Sequence, residues 1–259
     1  MLSKSVIALT GKYIRKREVY YLVLTNKTPE EKVNSLFDRV APEYDSMNNW
    51  ISMGLEKNWR RETMKRLNIK VDSKLLDVCC GTGTWTADLA NELSNEGHVT
   101  GLDFSKEMLK LAETKLIDVE QRKNIDLVQG NAMELPFADN SFAGTTIGFG
   151  LRNVPDASQV LSEMTRVVKP GGFVACLETS QPQNFFVKSV WNIFFKLVPV
   201  IAKVRGNNYA DYDYLQKTTK EFVSANRLKE MFEEVGLQKV TYKQFSLGAV
   251  VLHIGYKSL

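Results

Sequence analysis

The chain has 259 residues, 44% of them hydrophobic and 25% charged, which suits one globular domain of the larger sort with a substantial core. The formal net charge of +4 is concentrated at the start: the first 28 residues carry Lys4, Lys12, Arg15, Lys16, Arg17 and Lys27 against Glu18 alone. The remainder is close to neutral, which argues against nucleic acid as a partner. Three cysteines (Cys79, Cys80, Cys176) do not make a disulfide framework and fit a reducing, cytoplasmic compartment, and two histidines leave no ligand set for a metal.

Residues 1–27 form a basic head. Its apolar runs, Val6 to Leu9 and Val19 to Leu24, are too short to cross a bilayer. A disordered tail, a start site placed too early and a membrane-surface arm all fit it. Residues 28–259 read as a single domain. Thr28-Pro29-Glu30-Glu31 is a helix start, and Val33, Leu36, Phe37 and Val40 follow helical spacing. Residues 41–50 are rich in turn formers and are expected to be irregular. A second helix is expected from Leu55 to Leu67.

Then strand and helix alternate. Strands are expected at 74–78, 98–103, 125–129, 142–148 and 172–178, with helices near 84–95, 105–117, 156–168 and 226–235. That order predicts a doubly wound α/β sheet, mostly parallel, with helices on both faces. The tail, 237–245 and 249–257, predicts a C-terminal antiparallel hairpin. Residues 181–225 break the alternation and are expected to act as a cover over the substrate. Their first part is apolar and basic, with Lys188, Lys196, Lys203 and Arg205 and no acid up to Gly206. Lys196 and Pro199 interrupt its apolar run, so the expectation is an amphipathic segment at a membrane surface rather than a span.

The chemistry centres on Leu75-Leu76-Asp77-Val78-Cys79-Cys80-Gly81-Thr82-Gly83. A buried strand, a glycine turn and a helix in that order make a nucleotide-binding corner, with Gly81 and Gly83 letting a ligand approach the backbone. Asp103 ends the next strand, about 20 residues on, where a carboxylate binds ribose hydroxyls. Thr86 occupies the third glycine position of a dinucleotide motif, which weakens the rival reading of a nicotinamide-dependent oxidoreductase. Asp77 with the two glycines, followed by Asp103, resembles class I S-adenosylmethionine (SAM) methyltransferases. In that reading Gly81, Thr82 and Gly83 hold the cofactor. Asn131 and Ala132, after the third strand, meet the adenine. Arg152, Asn153 and the incoming Tyr44 converge on the methyl acceptor.

Two longer stretches carry a family resemblance. Tyr44-Asp45-Ser46-Met47-Asn48 with Ile51-Ser52 and Trp59, and Arg166 to Gly172 with Glu178-Thr179-Ser180, resemble the two signatures of the ubiquinone/menaquinone C-methyltransferases, the UbiE/MenG family. The likeness runs from about residue 30 to 257. It implies SAM contacts at Thr82, Asp103, Asn131 and Ala132. It also implies methylation of a prenylated quinol, demethylmenaquinol before a benzoquinol or another small hydrophobic acceptor such as a sterol, by an enzyme peripheral to the inner face of the membrane. Where the first signature has histidine, this chain has Glu56, expected on a helix surface. Arg152 is too basic to act as a base and would instead stabilise a phenolate as a fixed charge. Tyr44 or water would relay the proton.

Overall fold

The computed structural model describes residues 12–15, 18–21, 25–120, 122–204 and 208–259. The elements in chain order are β1 (Lys12–Arg15), β2 (Glu18–Tyr21), α1 (Glu30–Val40), α2 (Tyr44–Ile51), α3 (Glu56–Met64), β3 (Lys74–Val78), α4 (Thr84–Asn91), β4 (His98–Asp103), α5 (Lys106–Leu116), β5 (Ile125–Gln129), β6 (Phe142–Gly148), α6 (Ala157–Val167), β7 (Val168–Thr179), α7 (Phe185–Val204), α8 (Tyr209–Glu221), α9 (Ala225–Glu234), β8 (Leu237–Phe245) and β9 (Val250–Lys257). The expectations for the basic head lie mostly outside the described residues. Within it, β1 and β2 pair as a small antiparallel hairpin.

The main sheet has seven strands in the order β5-β4-β3-β6-β7-β9-β8. The first five run parallel, β9 pairs antiparallel to β7, and β8 pairs antiparallel to β9. This is the expected sheet. The order reverses between β3 and β6, and ligands of open α/β sheets bind at the carboxyl ends of the strands beside such a reversal.

Strand alternation builds the two cores. Leu76 and Val78 join α6 and α9 on one face, with Val160, Leu161, Met164, Leu228 and Phe232. Leu75 faces the other way, into Trp85 and Leu89 of α4, Ala112 and Leu116 of α5, and Trp59 and Met64 of α3. Both faces are covered, which is why β3 is apolar from Leu75 to Val78 apart from the buried, hydrogen-bonded Asp77. Side-chain caps set the helix starts: Ser105 Oγ accepts from Met108 N at 3.1 Å, Asp156 Oδ1 from Gln159 N at 3.1 Å, and Ser224 Oγ from Arg227 N at 3.2 Å.

Four expectations change. Residues 41–50 are ordered: a 3-10 turn at Ala41–Glu43 leads straight into α2. The polar residues there face a cleft or solvent, while Met47 is buried, so the segment is helical for tertiary reasons. The second helix is shorter than expected, ending at Met64. Residues 185–204 form one continuous helix despite Lys196 and Pro199, and 209–221 form another, α8, that the sequence reading lacked. By length and composition, Phe185–Lys203 is apolar enough to cross a membrane. Arg205 and Gly206 lie outside the described residues.

Candidate active site

The cleft lies over the carboxyl ends of β3, β4 and β6, and the segment 25–51 forms its outer wall. That segment is tied down at several points. Thr25 N donates to Pro155 O at 2.7 Å, and Asn26 Nδ2 donates to Asn153 O at 3.0 Å and to Tyr214 Oη at 2.7 Å. Ser105 Oγ donates to Asp38 Oδ1 at 2.6 Å, and Arg39 reaches Asp211 of α8 at 2.6 Å. The folded body therefore takes in Thr25 and Asn26, a little upstream of the boundary expected at 27/28.

The cleft has two chambers. The larger, about 780 Å³, is mostly apolar and is lined by Val33 and Phe37 of α1, Asp103, Asn131, Ala132 and Asn153, among others. The smaller, about 480 Å³, is more polar and includes Asp45, Asn48, Glu56, Arg60, Thr82 and Thr84. Tyr44, Cys79, Gly81, Gly148 and Phe149 line both and form the passage between them.

Asp103 fixes the glycine turn. Its Oδ2 accepts from Gly81 N and its Oδ1 from Ser105 N, each at 2.8 Å. Burial pushes its carboxyl above the ordinary range, and these backbone donors pull the other way. The two glycines do different work. Gly81 lines both chambers with φ +55°, and a Cβ there would sit 3.9 Å from the Tyr44 ring. Gly83, φ +76°, stands off the cleft: its Cβ would press on Leu116 and Ala112 of α5 at 3.1 and 3.2 Å. It serves helix packing and the start of α4 rather than ligand approach.

Thr82 is held by the incoming wall. Its Oγ1 donates to Asp45 Oδ1 at 2.7 Å, and Lys115 completes the contact with Asp45 at 2.7 Å. Asp77, the acid of the motif, is buried and braces the sheet. Its carboxylate accepts from Thr86 Oγ1 at 2.8 Å and Thr146 Oγ1 at 2.9 Å, joining β3 to α4 and β6. Desolvation raises its pKa to about 7, against those hydrogen bonds. Asn131 and Ala132 line the large chamber as expected. Asn131 Oδ1 accepts from Met133 N at 2.9 Å and closes its own turn, and its amide lies 3.4 Å from Glu30 Oε1. Arg166 of the second signature holds this loop from behind through Phe137 O at 2.8 Å and Leu135 O at 3.0 Å.

The three acceptor-side residues separate. Tyr44 and Asn153 line the large chamber. Arg152 lies behind it: Nη1 donates to Glu178 Oε1 at 2.5 Å and to Phe149 O at 2.6 Å. The Glu178 side chain is 1% exposed and also takes the Arg152 N–H at 3.2 Å. The arginine charge is thus neutralised inside the protein, and its geometry is that of a brace for the turn after β6. Asn153 Oδ1 is buried without a protein partner. Burial raises the Tyr44 phenol to about 12, so it keeps its proton and can donate a hydrogen bond, but does not serve as a base at neutral pH. Glu56 is not on an outer surface; it lines the small chamber and pairs with Arg60. The sequence reading missed Arg60 and Glu178 as positioned groups. Both adjoin or belong to the signature stretches, but neither motif states which charge meets which.

Residues 25–257 match the family described as the ubiE/COQ5 methyltransferase family. The chain belongs to the ubiE/COQ5 methyltransferase family. Among curated relatives of this methyltransferase, the demethylmenaquinone methyltransferase of Lactobacillus johnsonii is 52% identical over 239 residues, covering 92% of this chain and 98% of that protein. That of Listeria monocytogenes is 50% identical over 232 residues, covering 89% and 98%. Solved structures share the fold at lower identity. A phosphoethanolamine N-methyltransferase of Haemonchus contortus in complex with SAM has a TM-score of 0.64 at 16% identity, covering 88% of this chain and 60% of that one. The [4+2]-cyclase SpnF reaches 0.66 at 16% identity, covering 90% and 98%. A cyclase on the same fold shows that the sheet alone does not set the reaction.

Proposed function

We propose that this methyltransferase moves the methyl of SAM to a ring carbon of a prenylated naphthoquinol, converting demethylmenaquinol to menaquinol. The observation that carries this reading is half-identity to demethylmenaquinone methyltransferases along nearly their whole length. The cleft fits the donor. The Asp103 carboxylate, oriented by two backbone N–H groups, suits a ribose diol, and the Asn131–Ala132 turn leaves flat space for a base. SAM supplies an activated methyl on a sulfonium, a good leaving group.

The protein's own task is the acceptor. A quinol carbon becomes nucleophilic as a ring hydroxyl gives up its proton. Asn153 Oδ1, a buried acceptor without a protein partner, is placed to accept a hydrogen bond from that O–H and polarise it, while water at the mouth of the cleft takes the hydroxyl proton and, after methyl transfer, the proton of the methylated ring carbon. Tyr44, held protonated, donates to the ring oxygen as its charge grows, an oxyanion contact. Arg152 contributes by holding the Phe149–Asn153 turn. The wall 25–51 shuts out water and holds the reactants, with reacting atoms about 3–3.5 Å apart in a productive pose.

A polyprenyl quinol stays in lipid, so the reading places the enzyme at the inner face of the cytoplasmic membrane. Phe186, Val190, Ile193, Leu197 and Val200 make an exposed apolar stripe at 4-3-4-3 spacing on α7, between 48% and 79% exposed. The opposite side, Phe194, Val198 and Ala202, packs on Met47 of α2 and Tyr212 of α8. A helix with one side in the protein core supports lying on the bilayer rather than spanning it. Lys188, Lys196 and Lys203 can meet anionic headgroups, at about 1 kcal/mol each near the surface. Quinone mass spectrometry of cells lacking the protein tests the acceptor. Accumulated demethylmenaquinone is expected; accumulation of a benzoquinone precursor instead would move the enzyme to the other branch. Sedimentation with anionic vesicles tests the surface. Glutamine at the three lysines should weaken it, and indifference to vesicles would leave α7 as a packed lid.

A further inference from the structure

The turn after β6 forms the acceptor side of the cleft, and it is not a relaxed turn. Phe149 sits at φ +56°, a left-handed conformation that a bulky side chain adopts only at a cost. Such a turn keeps its shape only while its surroundings over-determine it. From within, the Phe149 carbonyl accepts from Arg152 Nη1 at 2.6 Å and from Asn153 Nδ2 at 3.2 Å. The second bond turns the Asn153 amide so that Oδ1 is left as a buried oxygen without a partner among the described residues.

From outside, Asn26 holds the far end of the turn. Its Nδ2 donates to Asn153 O at 3.0 Å and to Tyr214 Oη at 2.7 Å, and its Oδ1 accepts from Thr28 N at 2.9 Å. Asn26 is buried, and it lies 127 residues from Asn153 and 188 from Tyr214, so no stretch of sequence shows the link. Burial raises the Tyr214 phenol, which stays neutral. Its ring packs against the cluster of Leu36, Val40 and Met108. Tyr214 is therefore a fixed seat for the Asn26 amide. Closing the Thr28 turn needs only an oxygen, and an aspartate would serve. The two donations are what require the amide.

We propose that Asn26 and Tyr214 are positioning residues for methyl transfer, the Asn26 amide seated on the Tyr214 hydroxyl fixing the Asn153 carbonyl and with it the direction of Asn153 Oδ1. Asn153 is then held at two points, its main-chain carbonyl by Asn26 and its side-chain amide by Phe149 O. This role rests on the one proposed above for Asn153, which polarises the quinol O–H. The seat lies on α8, so the cover segment takes part in the chemistry without touching the reactants.

Turnover of a short-chain naphthoquinol by the full chain at saturating SAM, with SAM affinity read by calorimetry, tests it. Asn26→Asp keeps the Thr28 turn and loses both donations. Its kcat should fall about tenfold, as for a small misplacement of a reacting group, while SAM affinity stays at the wild-type value. Tyr214→Phe keeps the ring and loses the seat, and should lower kcat in the same sense but less. Asn153→Ala completes a double-mutant cycle. In that background Asn26→Asp should slow turnover no further, because it acts through Asn153. A merely structural role would slow both backgrounds by the same factor, or weaken SAM along with kcat. Either result, or full turnover in Asn26→Asp, would overturn the proposal. If Asn26→Asp does not fold, Tyr214→Phe with and without Asn153→Ala decides in the same way. Full turnover in Asn153→Ala, or none in the wild-type protein, would overturn the reading of the acceptor side itself, and this proposal with it.

Discussion

Replacing Asp103 probes the donor site at its centre. The carboxylate has two tasks in the structure. Oδ2 and Oδ1 accept from Gly81 N and Ser105 N, each at 2.8 Å, and thereby hold the glycine turn and the start of α5. Each oxygen retains acceptor capacity toward the cleft, which suits the two ribose hydroxyls. A hydrogen bond to a charged group contributes about 1.5–3 kcal/mol. Asp103→Ala should therefore weaken SAM binding tenfold to a hundredfold, which corresponds to about 1.4–2.8 kcal/mol. The same change leaves two N–H groups without their acceptor, so the free protein should also lose about 1–3 kcal/mol of stability. Asp103→Asn separates the two effects. One amide oxygen still serves one backbone N–H, so less stability is lost, while the charge that favours the diol is gone. Calorimetry with SAM, at a temperature where denaturation curves show each variant fully folded, reads the affinities. An unchanged SAM affinity in folded Asp103→Ala would refute the assignment of the large chamber to the ribose.

Arg152 and Glu178 form a buried pair, so removing the acid alone should be worse than removing the base. Glu178→Ala strands a buried cation and should cost about 3–5 kcal/mol in chemical denaturation; a neutral result would mean that water reaches Arg152. Asp77 titrates near 7 when folded, against 3.8 for an ordinary carboxyl, so it favours the folded state at low pH and that contribution is lost as pH rises from about 4 through 7. Asp77→Asn should flatten the stability profile across this range and match or exceed the wild type at pH 8; a profile that keeps its slope would clear Asp77 as the cause. His253 is fully buried, donates from Nε2 to Ala225 O at 2.8 Å, and titrates near 4 instead of 6.5. Its neutral form supports the fold above pH 6.5, and about 3 kcal/mol is lost as pH falls toward 4. His253→Gln, which keeps an N–H for Ala225, should lessen this acid sensitivity, as read by urea denaturation at stepped pH.

The sheet was legible because its signals are local. Leu75 to Val78 is apolar at every position but one, and Ser105, Asp156 and Ser224 announce the helices that follow them. The donor site was legible for the same reason: a strand, a glycine turn and a carboxylate ending the next strand lie along a short stretch of chain. Residues 41–50 misled because helix formation there depends on what the helix packs against. Met47, Trp50 and Ile51 meet α7 and α8, more than 140 residues downstream. Pro199 misled because a helix anchored along one side by Phe194, Val198 and Ala202 can retain its course past a missing N–H.

By itself the sequence determined the order of the main-sheet strands and the helices between them, the glycine corner with Asp103, and two signature stretches, since each is written in neighbouring residues. Only the tertiary structure decided which charges meet. Arg152 carries the same formal charge whether it faces a ligand or Glu178, and Glu56 could occupy either side of α3. A charge acts on its nearest opposite charge in space, falling off with distance and dielectric, and no spacing along the chain states that distance. The division of the cleft into an apolar chamber and a charged one follows from the way 25–51 folds back across the sheet, a contact between the beginning of the domain and its middle.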